Sequence, residues 1–528
     1  AALCSYEAER QMLSSFPKKV NYHKLHDEIP QLLRYQKGSD GRMTGMSALL
    51  LFYPCPSLAS MVDPLQIALE YSDEELIKPT ALVERAVEIL KPRINSLLTG
   101  ATDSGSEDQR WYWALPAMLD GSQYPDIKDW LLNENTGWLS LSKDSSRERG
   151  EYFRDHLNLL LQAMEGNIFP PLGKPPTDLM QIAALIAVAA PGICSLRSLH
   201  RQTLSLDWSS FDLLKGSAQI ADGFNTLFNL PDSIALLRGD NPDAFYWQHV
   251  LRHCLQGNIQ SLLDEQCHCL VESLGVFDEK EEQRVSKIGD SLGSSLSMRT
   301  ATLQVDEVIP LAECQKIDFE GYNVRCRFAL RFGELKDEEG AMARADTVRD
   351  AFNSPFRPFV LASTSVGQKG LDFHTWCHAV VHWNLPSNPV DLEQREGRIH
   401  RYKGHAIRKN VSLAYGLNLL REKWDIQGDP WQCMFAQARK DRANDLLTYW
   451  LFEPAVNGVK IERHVPIINY SREESHFSRL KKMLVLYRLV FGQPRQEDLL
   501  KYLTVYLERE KEDYDTGRWR ISLAPPAE

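Results

Sequence analysis

Near residue 300 the texture of this chain changes, and that change limits the folds open to it. Before it, apolar residues recur at helical spacing, in Pro64 to Leu98, Tyr152 to Met164 and Trp247 to Leu274. After it, strand-like runs alternate with helix patterns. Strands are expected at Thr300 to Val305, Val324 to Phe332, Phe359 to Ser363, Ala379 to Trp383 and Val411 to Tyr415. Helices are expected over Ala341 to Phe352 and from Pro389, with Asn388 as the cap and Pro389 in the first turn. Such alternation indicates a parallel sheet covered on both faces, and these sheets take ligands at the carboxyl ends of their strands. A site is therefore expected in the polar loops after Ser363 and Trp383. From about Leu420 the pattern is helical again. The reading is a mainly helical region over 1–299, an α/β lobe over 300–420 and a helical region over 421–528.

Three segments read as linkers or surface loops: Gly100 to Asp108, Asn133 to Gly150, and Ile168 to Asp178 with its four prolines. Trp111, Tyr112 and Trp113 read as core, and Asp278 to Glu282 as a solvated helix face. The apolar run Ile182 to Ala190 is far shorter than the ~20 residues of a spanning helix, so it reads as a buried helix. The ten cysteines are scattered, which fits a reducing cytoplasm better than a disulfide scaffold. His253, Cys254, Cys267, His268 and Cys269 cluster, but no CxxC pair accompanies them, so buried thiols are expected there and no metal site. A net charge of -11 excludes a polyelectrolyte that coats nucleic acid, yet leaves room for a local basic groove. The start at Ala1, with neither initiator Met nor signal-peptide pattern, reads as an internal boundary.

Two short segments carry the chemistry. In the first, hydroxyls at Ser363, Thr364 and Ser365 follow a strand, small residues at Gly367 and Gly370 admit a close backbone, and Asp372 can accept from a ribose or an arginine. In the second, Gln394, Arg398 and Arg401 stand at i, i+4 and i+7 and would share one helix face, with Leu392 and Ile399 opposite and Gly397 leaving room beside them. Two guanidinium groups on a rigid element suit a phosphate that gains charge during transfer. Lys403, His405, Arg408 and Lys409 follow, as further phosphate contacts or as a solvated loop.

In this order and spacing, the two segments resemble motifs V and VI of superfamily 2 helicases, most closely the Snf2-like branch. Ser363, Thr364, Gly367, Gly370 and Asp372 match the first motif; Gln394, Gly397, Arg398 and Arg401 match the second. Leu330 to Gly333, Arg344 to Asn353 and Trp383 to Pro386 resemble the family's approaches to them. The whole is similar to bacterial helicase-related proteins, some of which serve in defence against foreign DNA. The resemblance implies a RecA-like helicase C-terminal lobe. Arg398 and Arg401 would be arginine fingers, and Gln394 would act near the phosphates. Gly370, Asp372 and Gly397 would line the nucleotide side, and Ser363 and Thr364 would touch the nucleic acid, with DNA favoured over RNA.

A complete motor also needs a Gly-rich phosphate loop and an Asp-Glu pair for Mg²⁺. The single Gly-Lys dipeptide, Gly173-Lys174, is followed by two prolines, and no Asp-Glu pair ends a buried strand. The first RecA-like lobe is therefore expected elsewhere, upstream or on a partner, holding most contacts to ATP and Mg²⁺. This chain alone is expected to be a poor ATPase, in the cytoplasm and without a membrane. The rivals are a catalytically inert docking module for DNA or a partner, and an RNA-directed remodeller.

Overall fold

In a computed structural model, the described residues are 32–38, 42–71, 77–99, 101–102, 104–142, 147–238, 245–297, 301–310, 317–326, 345–356, 358–362, 372–426, 428–442, 444–453, 458–467, 470–489 and 495–510. Contacts divide the chain into two units, one of Ala1–Ala362 with Leu417–Cys433, the other of Ser363–Gly416 with Met434–Glu528.

The first unit is a helical assembly around one apolar core. Its main helices are α1 (Met46–Phe52), α2 (Pro79–Leu98), α3 (Trp111–Gln123), α4 (Leu179–Ala189), α5 (Pro191–His200), α6 (Phe211–Phe228), α7 (Ile259–Ser273) and α8 (Glu281–Leu296). The run expected to be a buried helix is α4, buried from Ile182 to Ala189. Among the described residues no single helix is long and apolar enough to cross a membrane. Trp111 and Trp113 are core residues, as their clustering suggests. Cys254 and Cys267 are buried thiols, and burial pushes both above the usual thiol range. Among the described residues no group of three His, Cys, Asp or Glu side chains is placed to hold a metal.

Helices α6 and α8 approach through glycines. A Cβ on Gly289 would stand 2.7 Å from the Cα of Gly216, and one on Gly223 2.9 Å from the carbonyl oxygen of Gly293. Only residues without a side chain permit that crossing. Polar groups are buried beside it in α5 and α7. Arg201 pairs with both Asp63 and Asp264. Asp264 also accepts from Ser198 at 2.6 Å and Gln260 at 2.9 Å. Arg197 donates to Gln260 and to the carbonyl of Ala187. The segment from Leu417 to Cys433 joins this unit by similar bonds: Trp424 lies under Arg201 with 5.5 Å to the ring centroid, and Asp429 accepts from His268 Nδ1 at 2.6 Å.

The strands depart from the expected sheet. β1 (Ala301–Pro310) and β2 (Ile317–Cys326) form an antiparallel hairpin in full register from Ala301 opposite Cys326 to Pro310 opposite Ile317. A helix follows at α9 (Ala345–Phe352), close to its expected place. Residues 358–362 are not a strand, and Phe359 and Val360 are exposed.

In the second unit, β3 (Ala379–Val381) lies where a strand is expected and pairs in parallel with β4 (Glu462–His464). These two strands are the only parallel pair among the described residues. The unit also contains α10 (Pro389–Glu396), the start of α11 (His405–Lys423), most of α12 (Pro430–Asp441), α13 (Asp445–Tyr449) and α14 (Glu473–Leu489). The strand expected over Val411 to Tyr415 is part of α11. Ala406, Ile407, Asn410 and Val411 are buried together, a helical spacing that the alternation within Val411 to Tyr415 conceals. That helix breaks at Gly416 (φ 44°, ψ -150°), where the first of the unit's two segments also ends.

Candidate functional site

The second unit gathers the turn after α10 against the residues just before β3. The N-terminus of α10 follows local rules. Asn388 is extended (φ -131°, ψ 155°), its side chain accepts from the Asp391 N–H at 2.8 Å, and Pro389 takes the first helical position. Leu392 is fully buried on its inner face.

The helix ends at Glu396, which corrects the expectation of one helical face through Gln394, Arg398 and Arg401. Gly397 is the C-cap, and the N–H groups of Ile399 and His400 both turn back to the Glu396 carbonyl. The reason lies outside the helix. In a continuing helix the Arg398 carbonyl would accept from Tyr402; here it accepts from the Phe373 N–H at 3.1 Å. A second backbone bond, from the His405 N–H to the His374 carbonyl at 3.0 Å, closes the other end of the turn. Residues 398 to 405 are therefore laced to residues 373 and 374.

Within that turn, Arg401 faces Asp372 with Nη2 3.3 Å from Oδ1, both side chains about half exposed at 45% and 52%. Of the two partners expected for Asp372, the structure supplies the arginine. Arg398 is half-buried, and burial followed by repulsion from Arg401 lowers its pKa while Asp372 opposes the shift. Gln394 is exposed on α10, and Ile399 is buried beneath the turn. Ser363, Thr364, Gly367 and Gly370 lie outside the described residues.

The basic tail is neither a phosphate patch nor a solvated loop at Arg408. That side chain is buried, lies 5.4 Å from the Trp376 ring centroid, and donates to the carbonyls of Lys403 at 2.8 Å and Thr375 at 2.5 Å. His405 is held neutral by burial, then by Arg408, Lys409 and His378, with its pKa pushed down to about 3. His374 shifts the same way, chiefly by burial.

One anchor went unread in the sequence. Glu396 accepts from His382, the residue after β3, at 3.1 Å, and from Arg463 on β4 through Nε and Nη2 at 2.5 Å each. Burial alone would raise its pKa, but these donors together hold it down at about 2. The carboxylate thus ties α10 to β4 and to the end of β3. Arg463 lies 67 residues away, and no local pattern announces the pair.

The Gly-Lys dipeptide is committed elsewhere. The Gly173 N–H donates to Asp108 Oδ2 at 2.8 Å, and the Lys174 carbonyl accepts from the Asp108 N–H at 2.9 Å. A backbone donor already bound to a carboxylate is not offered to a phosphate.

Residues 336–403 match the helicase conserved C-terminal domain family. The chain is similar to an uncharacterized ATP-dependent helicase, YqhH, of Bacillus subtilis (strain 168), at 26% identity over 139 residues. That match covers 24% of this chain and 24% of the relative's length. No solved structure matches.

Proposed function

We propose that this chain supplies the second, RecA-like motor lobe of an ATP-dependent helicase or translocase that works on nucleic acid, DNA in preference to RNA, in the cytoplasm. The lobe corresponds to residues 300–420, between helical regions over 1–299 and 421–528. Arg401 and Arg398 act as arginine fingers toward the γ-phosphate, and Gln394 assists near the phosphates. Gly370, Asp372 and Gly397 line the nucleotide side, while Ser363 and Thr364 meet the nucleic-acid backbone. ATP supplies the bond whose cleavage drives movement. A first RecA-like lobe, in the same full-length protein or on a partner, holds most of the nucleotide. Mg²⁺ would be held with the nucleotide by that first lobe.

The observation that carries this reading is the half-exposed Arg401 guanidinium within the segment that matches the helicase family. A guanidinium held on a braced turn, with a weak surface partner, can be recruited by a phosphate at little cost. The test is nucleic-acid-stimulated ATP hydrolysis by the full-length gene product or its native complex, wild type against Arg401→Ala. Loss of most of the rate with nucleotide binding retained is expected, on the order of 10³-fold for an arginine finger. An intact assembly without hydrolysis, or an unaffected variant, sinks the motor reading and leaves a docking module. Stimulation by RNA but not DNA reassigns the substrate.

A further inference from the structure

Lys403 has an unusual position for a surface lysine. Its backbone is left-handed (φ 47°), a region that residues with a Cβ rarely occupy. Its ammonium nitrogen lies 4.5 Å from the Phe435 ring centroid, 5.3 Å from Tyr449 and 5.5 Å from Tyr402. Three aromatic faces around one ammonium form a cation cage, here filled by a residue of the same chain. The main chain is fixed as well: the Lys403 N–H donates to the Tyr449 carbonyl at 2.9 Å, and its own carbonyl accepts from buried Arg408. Strained backbone persists only where its surroundings over-determine it, and it concentrates at functional sites.

The consequence concerns Arg401, two residues earlier. The turn is pinned on one side by the Arg398 carbonyl bound to Phe373, and on the other by the His405 N–H bound to His374. Between these stitches, the caged lysine fixes where the chain reverses. It thereby sets the height and direction from which the Arg401 side chain leaves the turn.

We propose that Lys403 is a positioning residue: through its cage of Tyr402, Phe435 and Tyr449 it holds the reversed turn that aims Arg401 at the nucleotide. This rests on the motor reading above. A side chain that aims another should act on the chemical step and leave ATP affinity alone. The cage needs the cation, so arginine should replace lysine where a neutral chain of similar length should not.

The experiment compares Lys403→Met, Lys403→Arg, Tyr449→Leu and Arg401→Ala in the full-length protein or native complex, measuring kcat and KM for ATP, nucleotide binding and thermal melting. Lys403→Met and Tyr449→Leu should each lower kcat about tenfold with KM within twofold, and Lys403→Arg should keep at least about half the rate. Should Lys403→Met fail to fold, the contrast of Tyr449→Leu with Lys403→Arg carries the same test. If Arg401→Ala abolishes hydrolysis while Lys403→Met and Tyr449→Leu leave kcat unchanged, the positioning role is wrong and the motor reading stands. A fall in kcat that merely tracks a fall in melting temperature, or equal failure of Lys403→Arg, also overturns it. If Arg401→Ala has no effect, both readings fall together.

Discussion

The Arg401 guanidinium lies 3.3 Å from the Asp372 carboxylate, and both side chains remain about half in solvent. Exposed pairs of this kind contribute about 0–1 kcal/mol to folding. Asp372→Asn should therefore shift the melting temperature by no more than about 2–4 °C. Under the proposed function the same change removes a charge-assisted contact beside the nucleotide, and kcat/KM for ATP should fall about tenfold. Measuring both on one preparation separates the two effects. A large melting shift, or unchanged kinetics, counts against this role for Asp372.

Acid should loosen the turn that carries Arg401. His405 has a folded-state pKa of about 3, held down by burial and then by Arg408, Lys409 and His378. A depressed histidine contributes stability that is fully present above its unfolded pKa, about 6.5. That stability is lost as the pH falls from there toward 3. His374 adds in the same direction. His405→Phe keeps a ring beside Trp376 and His378 but takes up no proton. Its stability should depend less on pH between about 6.5 and 4, by at most one proton's slope, about 1.4 kcal/mol per pH unit. Denaturant melts of both proteins across that range check this, and parallel curves would refute it.

The crossing of α6 and α8 tolerates almost no added volume. Alanine at Gly289 would gain about 1 kcal/mol in helix propensity. Its Cβ, however, would press on backbone, at 2.7 Å from Gly216 Cα and 2.9 Å from the Gly216 oxygen. Backbone cannot rotate aside, so the helices must part, and overpacking of this kind costs about 1–3 kcal/mol. Gly289→Ala should thus melt lower than wild type, while Ser294→Ala, exposed on the same helix, should melt at or slightly above it. Equal melting of the two would show that the crossing relaxes freely.

What could be read in the sequence was local. Asn388 and Pro389 announced the start of α10 because a cap uses residues within one turn. Its end could not be read, since the Arg398 carbonyl is drawn off by Phe373, 25 residues earlier in sequence and invisible to helical spacing. Leu392 and Ile399 were recognisable as anchors because burial follows apolarity, and both are buried although only the first is helical. Glu396 escaped notice, and Lys403 was read as a phosphate contact or a solvated residue and not as caged, for one physical reason. Their partners, Arg463, Phe435 and Tyr449, arrive from distant chain, and a charged residue in a basic stretch looks the same whether solvated or caged. The expected strand at Val411 failed because five alternating residues fit either period, and the buried set that decides between them begins at Ala406.

The heaviest dependence in the helical unit should fall on Asp264. It receives Arg201 Nη1, Ser198 and Gln260 in a buried setting, while both oxygens of Asp63 accept from Nη2 of the same guanidinium. Burial would raise the pKa of Asp63, but Arg201 and Arg197 hold it below the usual carboxylate value, so this neighbour stays charged at neutral pH. Asp264→Ala would strip one counter-charge from Arg201 and leave two further buried donors seeking acceptors. Breaking a buried pair by removing one partner costs about 3–5 kcal/mol. Asp264→Asn keeps an oxygen for Ser198 and Gln260 and loses the charge and the acceptor facing Arg201, whereas alanine loses all three contacts, so asparagine should cost less. The order of stability expected from denaturant melts is wild type, then Asp264→Asn, then Asp264→Ala. If alanine were tolerated as well as asparagine, water or a shift of Asp63 must satisfy Arg201, and the network would be a consequence of packing and not one of its causes.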